Sequence, residues 1–187
     1  MIEEIRKACE VLKGGGVILY PTDTVWGIGC DATNEKAVQR IYDLKRREDH
    51  KAMLVLVGNA VQLQAYVEEV PDVAWQLVEV ADKPLTIIYD RAKNLAPNLP
   101  AADGSIGIRV TGEAFSKGLC ERFHRPVVST SANVSGQPSP AGFVDIPEEI
   151  KNGVDYIVNY RRGEAMQSAQ PSSIIKVGAG GLFRIIR

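Results

Sequence analysis

The sequence predicts an α/β fold in which helices pack on the faces of a twisted mixed sheet. Short apolar runs of strand length alternate along the chain with segments of helical period. Gly, Pro, Asn and Asp separate most of these segments, as expected at turns. The 187 residues are 45% hydrophobic with few aromatics, so Val, Ile and Leu must fill the core. This length predicts a single domain over residues 1–187.

The N-terminal half is predicted to begin with a helix that ends at Gly14-Gly-Gly16. Thr33, Asn59 and Asp72 stand where helix N-caps are expected. Periodicity and apolar runs then predict, in order, helix 2–13, strand 17–20, helix 34–46, strand 52–57, and helices 59–67 and 72–81.

The C-terminal half is predicted to be richer in strands. Residues 135–147 are rich in Gly, Pro and Ser and are predicted to be flexible, and Gly178-Ala-Gly-Gly181 is predicted to be a hairpin turn. The elements predicted here are, in order, strand 84–89, loop 90–104, strand 105–110, helix 113–123, and strands 126–129, 156–158, 174–177 and 182–186.

Several function classes lack their usual signals. A net charge of −1 does not mark a nucleic-acid binder. There is no Walker-type phosphate loop and no Gly-x-Gly-x-x-Gly between a strand and a helix. His50 and His124 are the only histidines, which disfavours a histidine metal cluster or a Ser-His-Asp triad.

The cysteine pattern and hydropathy predict a cytoplasmic protein. Cys9, Cys30 and Cys120 are scattered and odd in number, so we expect free thiols in a reducing compartment. The charged N-terminus lacks the apolar core of a signal peptide. No apolar run approaches the ~18 residues of a membrane span, so we expect no membrane contact.

A basic run, Leu44-Lys-Arg-Arg-Glu48, follows the second predicted helix. Within a helix, Lys45 and Arg47 would not share a face, whereas in an extended segment they would. One ligand can therefore use both only if the helix ends near Leu44 or Lys45. Their work would be to neutralise a phosphate. The alternative is a pair of solvated cations that offset the helix dipole.

Ser131 and Asn133 follow the predicted strand 126–129. If extended geometry persists there, the hydroxyl and the amide point to one side and can hold a phosphate oxygen or a carboxylate. Ser135 and Ser139 add further hydroxyls downstream. The alternative is an ordinary polar turn after a strand.

Two other positions leave a similar choice open. Thr22 and Thr24 lie past a strand end, where they either bind a ligand or cap a turn. Arg109 stands among apolar residues of a predicted strand, and a buried arginine needs an anionic partner. That partner is either a ligand or a carboxylate in a structural salt bridge.

Taken together, these residues resemble the YrdC/TsaC family. That family shows Tyr-Pro-Thr-(Asp/Glu)-Thr, Lys-x-Arg, Ser-x-Asn, Ser-Gly and Ser-Pro blocks in this order. The matching segments are Tyr20–Thr24, Lys45–Arg47, Ser131–Asn133, Ser135-Gly136 and Ser139-Pro140. Pro84-Leu-Thr86, Ile108-Arg109 and Pro171-Ser-Ser-Ile174 fit the segments between them, so the likeness covers nearly the whole chain.

The resemblance implies an L-threonylcarbamoyladenylate synthase. Such enzymes convert L-threonine, bicarbonate or CO2, and ATP into threonylcarbamoyl-AMP and pyrophosphate, and downstream proteins transfer the threonylcarbamoyl group to tRNA. The fold implied is an open, twisted YrdC-like sheet with a concave, positive cavity, in the short single-domain form. Mg2+ is expected to accompany ATP, because no protein metal cage is visible in the sequence.

The same resemblance implies site residues by motif position. Lys45, Arg47, Ser131 and Asn133 correspond to the catalytic set. ATP contacts are implied for Lys45, Arg47, Lys51, Ser105, Ser129, Asn133, Ser139 and Arg184. Threonine contacts are implied for Thr24, Arg109, Ser131 and Ser172, with Arg109 as the clamp for the carboxylate.

This chain departs from the family pattern at two places. Lys51-Ala-Met53 stands where the family often has Lys/Asn-Pro-Leu, and Leu56 stands where some relatives carry a histidine near threonine. Two competing hypotheses stay open. One is a YciO-type paralogue without efficient threonylcarbamoyl activity. The other is an RNA-binding module that uses the positive cavity, which the near-neutral charge and the lack of a stacking-aromatic motif disfavour.

Overall fold

Nine strands and six α-helices are present in residues 1–47, 53–164 and 171–187, the parts of the chain that the computed structural model describes. The helices are α1 Ile2–Lys13, α2 Glu35–Lys45, α3 Leu63–Tyr66, α4 Asp72–Val80, α5 Ala114–Phe123 and α6 Glu148–Gly153. The strands are β1 Ile18–Pro21, β2 Trp26–Gly29, β3 Leu54–Val57, β4 Leu85–Tyr89, β5 Ile106–Val110, β6 Val127–Ser131, β7 Tyr156–Ile157, β8 Ser173–Val177 and β9 Phe183–Ile185.

The strands form one mixed sheet in the order β7-β1-β2-β6-β3-β5-β4-β8-β9. The pairs β1–β7, β3–β5 and β4–β8 are parallel. The other neighbouring pairs are antiparallel. The predicted α/β class and mixed sheet are therefore confirmed.

Helices cover both faces of this sheet, as predicted. On one face, apolar residues of α2, α3, α4 and α6 join strand residues such as Val55, Ile87 and Ile108 in the larger core cluster. On the opposite face, α1 and α5 pack against Ile18 and Leu56. The alternation of side chains along each strand sorts the residues between these two layers.

Part of the second face carries mainly small and polar residues, together with Leu54 at the margin of the α1 and α5 core. Ser129 lies opposite Leu54, and Leu54 shares its face with Leu56, which lies beside Arg109. Thr86 lies opposite Arg109 on the next strand. Gly107 on β5 lies between Leu54 of β3 and Thr86 of β4. A Cβ atom at Gly107 would be 3.5 Å from Leu54 Cβ and 3.3 Å from Thr86 Cγ2. We call this region, formed by Leu54, Thr86, Gly107, Arg109 and Ser129, the open face, although Thr86, Arg109 and Ser129 are themselves buried.

Several predicted element ends shift in the structure. The side chain of Asn34, not Thr33, caps α2, because Asn34 Oδ1 accepts from Ala37 N at 3.1 Å. Asp72 is the first residue of α4 and Pro71 is its N-cap. The predicted helix 59–67 is a 3₁₀ turn followed by the one-turn α3, with Asn59 as the expected cap.

Strand β2 and helix α6 were missed by the sequence prediction. Strand β2 contains Gly27 and Gly29, and glycine has a low strand propensity, so the sequence did not indicate a strand there. The structure explains Gly29, since a Cβ there would lie 2.5 Å from Val128 O and 2.6 Å from Tyr20 Cε1. In the stretch predicted to be flexible, Phe143–Asp145 form a 3₁₀ turn, and the Phe143 ring centroid lies 5.0 Å from that of Trp26.

The predicted hairpin turn near the C-terminus is confirmed. A 3₁₀ turn at Ala179–Gly181 joins the antiparallel strands β8 and β9, and Gly178 N donates to Leu182 O at 2.8 Å. Gly180 and Gly181 have φ of 79° and 78°, a conformation that glycine adopts without strain. Among the described residues, no helix is both long and apolar enough to cross a membrane.

Candidate active site

The end of α2 decides how the basic run is used. Lys45 is the last residue of the helix, and Arg46 follows it with a left-handed φ of 49°. The N–H groups of Arg46 and Arg47 bond back to Asp43 O and Tyr42 O. The helix therefore ends at Lys45, as the sequence analysis required if Lys45 and Arg47 are to bind one ligand. Arg46 turns outward instead, to Glu149.

Lys45 is buried and its ammonium group faces main-chain oxygens. Its Nζ donates to the carbonyl oxygens of Ser131 and Asn133, at 2.5 Å in each case. In return, Ser135 N donates to Lys45 O at 2.9 Å. The Lys-x-Arg and Ser-x-Asn blocks, more than 80 residues apart in sequence, are thus in direct contact. For Lys45, the alternative of a solvated surface cation is wrong.

The charges of this basic pair are poorly solvated. Burial, with a smaller contribution from the positive charge of Arg47, lowers the pKa of Lys45 to about 8. Burial also lowers the pKa of Arg47. A cation that has lost water gains more from an incoming anion than a solvated one does. The pair is therefore suited to bind phosphate oxygens.

The loop after β6 does not stay extended, so that premise of the sequence prediction is wrong. Asn133 N donates to Ser131 O at 2.9 Å, which bends the chain. Asn133 Nδ2 donates to Val134 O and Gln137 O within its own loop. Among the described residues, Asn133 Oδ1 and Ser135 Oγ are buried and have no hydrogen-bond partner. Such groups are normally satisfied by a ligand or by water.

Arg109 lies on the open face with both a structural partner and an unused donor. Its Nη1 donates to Asp23 Oδ1 at 2.6 Å and to Thr24 Oγ1 at 3.2 Å. Its Nε is buried and has no partner among the described residues. The salt-bridge alternative is therefore confirmed. A ligand for Arg109 stays a prediction, for which the unpaired Nε–H is the available donor.

Of the threonine-site residues implied by the resemblance, Thr24, Arg109 and Ser172 lie close to one another. Ser131 ends β6, where its carbonyl oxygen accepts from Lys45. Thr86, opposite Arg109 in the sheet, shares a hydrogen bond of 2.8 Å with Ser172 Oγ. Thr24 contacts Arg109 directly. Thr22 instead caps a turn, because its Oγ1 donates to Val25 O at 2.7 Å. Leu56, which replaces a histidine of some relatives, lies beside Arg109 on β3.

The ATP residues implied by the resemblance are more dispersed. Ser129 lies on the open face, and Ser105 precedes β5, where its Oγ donates to Asp103 at 2.5 Å. Arg184 lies on the exposed edge strand β9, five strand spacings from Ser129, or roughly 24 Å along a flat sheet. Ser139 is exposed, in the loop that follows β6. Lys51 lies outside the described residues.

Sequence reasoning did not assign a role to Asp23, Thr86 or Lys176. Asp23 binds Arg109, and burial raises the pKa of Asp23 although Arg109 opposes the change. Lys176 Nζ lies 3.4 Å from Asp103 Oδ2 and 3.7 Å from Asp90 Oδ1. Asp23 and Thr86 lie within segments that match the family, Tyr20–Thr24 and Pro84–Thr86. Membership of those segments was the one sequence feature that could have marked them as site residues.

The family model that matches is the Sua5/YciO/YrdC model, described as "Telomere recombination", and it matches residues 10–187. The chain belongs to this family. Its Lys-x-Arg and Ser-x-Asn blocks are the two that Lys45 joins in the structure.

Curated Sua5/YciO/YrdC relatives match over nearly their whole length. A protein from Acinetobacter baumannii named threonylcarbamoyl-AMP synthase is 32% identical and is aligned over 96% of this chain and 97% of its own. A protein of the same name from Pseudoalteromonas translucida is 34% identical, with 96% of both chains aligned.

Solved structures of family members have the same fold. P. abyssi Sua5 complexed with L-threonine superposes with a TM-score of 0.87 at 26% identity over 98% of this chain. The present chain spans 53% of that Sua5 chain, or about half its length. E. coli YciO superposes with a TM-score of 0.85 at 24% identity, over 100% of this chain and 89% of its own, which shows the fold alone.

Proposed function

We propose that this protein is a threonylcarbamoyl-AMP synthase. It combines L-threonine, bicarbonate or CO2, and ATP, and releases threonylcarbamoyl-AMP and pyrophosphate. The observation that carries the proposal is the contact of the desolvated Lys45 ammonium with the loop of Ser131 and Asn133. Relatives of that name, 32–34% identical over nearly the full length, support it.

The chemistry needs positioning and charge neutralisation more than covalent help from the protein. The threonine amine lone pair forms a bond to the carbon of CO2, and the amine loses a proton, which gives a carbamate. A carbamate oxygen then attacks the α-phosphorus of ATP, and the bond to pyrophosphate breaks. Lys45 and Arg47 offset negative charge on the phosphates during this transfer, while Ser131 and Asn133 complete the catalytic set.

The amino-acid end of the site lies around Arg109. Its free Nε–H and planar guanidinium suit a carboxylate, which is the group that all α-amino acids share. Thr24, Ser131 and Ser172 supply hydroxyls for the remaining polar groups of threonine. P. abyssi Sua5 has been solved with L-threonine, which supports an amino-acid site in this fold.

The nucleotide end extends from Lys45 and Arg47 along the open face. Ser129, Ser105 and Asn133 form the part of this set nearest to them, and Ser139 and Arg184 lie farther out. Lys51 belongs to the set by motif position alone. Arg184 can reach ATP only if the nucleotide runs across the strands toward β9. Mg2+ belongs to this proposal as a companion of the ATP substrate, which it neutralises in part.

The setting of the enzyme follows from its product. Threonylcarbamoyl-AMP is a hydrolysable mixed anhydride, so downstream threonylcarbamoyl-transfer proteins must take it up and pass the group to tRNA adenosine. We place the protein in the cytoplasm as a single catalytic domain, with its three cysteines as free thiols. RNA contact through a positive cavity is a secondary hypothesis, which a salt titration of RNA affinity would test.

The deciding experiment is pyrophosphate release from ATP by the purified protein, with and without L-threonine and bicarbonate, with mass detection of the product. Release that requires both substrates and yields threonylcarbamoyl-AMP supports the proposal. ATP binding without threonine-dependent release contradicts it and favours a YciO-type paralogue with another substrate.

A further inference from the structure

Asp23 makes the closest contact to Arg109, although the resemblance gives it no role. Its Oδ1 lies 2.6 Å from Arg109 Nη1, and only 12% of the Asp23 side chain and 3% of the Arg109 side chain are exposed. A pair so withdrawn from water is not a surface salt bridge of negligible strength. Asp23 must therefore influence what Arg109 can bind.

The carboxylate of Asp23 is itself held in place from two directions. It stands in a tight turn between β1 and β2, in which Thr24 N donates to Thr22 Oγ1 at 3.2 Å. Its Oδ2 accepts from Thr111 Oγ1 at 3.4 Å, and Thr111 shares a hydrogen bond of 2.8 Å with Ser116 Oγ. The first turn of α5 thus supports the carboxylate from behind.

This support leaves Arg109 with one defined free edge. Asp23 and Thr24 occupy Nη1, so the guanidinium plane cannot turn about its axis. The buried Nε–H has no partner among the described residues. The planar guanidinium presents its N–H donors in pairs along its edges. The edge that carries Nε is therefore the one left to bind a carboxylate.

We infer that Asp23 is a positioning residue of the amino-acid site, which fixes Arg109 for the substrate carboxylate and selects a ligand that carries its own positive charge. The inference rests on the proposed function. With Asp23 ionised, the Asp23–Arg109 pair has no net charge, and a zwitterionic α-amino acid adds none. A simple carboxylate would bring one uncompensated negative charge into a buried site.

The test compares the variants D23A and D23N in steady-state synthesis of threonylcarbamoyl-AMP. D23A should raise the KM for threonine by about tenfold or more, with the KM for ATP little changed, as for other carboxylates that orient a binding group. D23N keeps an oxygen for Arg109 Nη1 and should recover most of this loss. The control is D31N, because Asp31 is 4% exposed and lies 2.8 Å from Arg125, in a pair outside the site.

A second measurement addresses selectivity and needs only D23N, which is close in shape to the native residue. (R)-3-Hydroxybutyrate is L-threonine without its amino group, and it should inhibit D23N more strongly, relative to threonine, than it inhibits the native enzyme. An unchanged threonine KM in D23A, an unchanged inhibition ratio in D23N, or equal losses for threonine and ATP would each overturn the inference. If the native enzyme makes no threonylcarbamoyl-AMP, it is the proposed function that fails.

Discussion

The ammonium nitrogen of Lys45 and the main-chain carbonyl oxygen of Asn133 lie 2.5 Å apart. This contact closes the end of α2 onto the loop that follows β6, across 88 residues of sequence. It also places a buried positive charge against neutral oxygens, where the charge is only partly satisfied. A ligand with phosphate oxygens would supply the missing negative charge, and the first predictions below follow from that.

Removing either cation of the Lys-x-Arg block should abolish turnover. K45M and R47A each remove a charge that faces the phosphates in the proposed site, so kcat should fall by roughly 100-fold or more. K45M also leaves two carbonyl oxygens without their donor, which should lower the free energy of unfolding by about 1–3 kcal/mol. Pyrophosphate release and thermal unfolding measure the two effects.

The control for both variants is R46A, since the Arg46 side chain is 73% exposed and pairs with Glu149. R46A should keep native turnover. Native rates in K45M or R47A would remove that residue from the catalytic set.

The pH dependence should report on Lys45. With a pKa of about 8, its amine is charged below that pH and increasingly neutral above it. The value of kcat/KM for ATP should therefore fall above about pH 8, by up to tenfold per pH unit. The kcat should hold to higher pH, because bound phosphates favour the charged form and raise this pKa.

The variant K45R separates Lys45 from other groups that titrate in this range. A guanidinium stays charged throughout, so an active K45R should show no fall between pH 8 and 10. The same alkaline fall in K45R and in the native enzyme would assign it to another group.

Arg109 should combine a binding role with a structural one. R109A leaves the buried carboxylate of Asp23 without its partner, which should cost about 3–5 kcal/mol in the free energy of unfolding. R109K keeps the charge and loses the planar fork, so it should mainly raise the KM for threonine. Initial rates at saturating ATP, with thermal unfolding alongside, measure both effects.

R125K is the control, because Arg125 also pairs with a buried carboxylate, that of Asp31, although the Arg125 side chain is 55% exposed. It should leave the threonine dependence unchanged. If R109K also leaves it unchanged, Arg109 is a structural residue and the carboxylate clamp must be sought elsewhere.

The sequence was most informative where local patterns are strong. The sequence required α2 to end near Lys45 if Lys45 and Arg47 bind one ligand, because residues two apart point to the same side only outside a helix. Helix α1 and the apolar strands β3 and β4 follow directly from periodicity and apolar runs. Long-range pairing was less accessible, since nothing local indicates that β6 lies between β2 and β3.

Other features depend on contacts that no local pattern contains. Strand β2 has two glycines in four residues, and the need for Gly29 arises only from its approach to Tyr20 and Val128. The bend at Asn133 follows from hydrogen bonds within its loop and with Lys45. The role inferred for Asp23 required the knowledge that Arg109 lies against it.

The position of the ligand can be tested at Gly107, in the middle of the open face. A Cβ added there would lie 3.3 Å from Thr86 Cγ2 and 3.5 Å from Leu54 Cβ, so alanine fits with a small adjustment. The branched side chain of valine suits a strand but extends into the space above the sheet. Gly107 is in register with Ile88, and Leu54 on its other side lies opposite Ser129, so this space belongs to the proposed nucleotide path.

G107V should therefore raise the KM for ATP by about tenfold or more while the unfolding temperature changes little. G107A should have a much smaller effect. G163V is the control, because no atom of the described residues lies within 4 Å of a Cβ at Gly163, and it should behave like the native enzyme. A native ATP dependence in G107V would mean that the nucleotide does not cross the open face, and Ser129 and Arg184 could not then share one ATP molecule by that path.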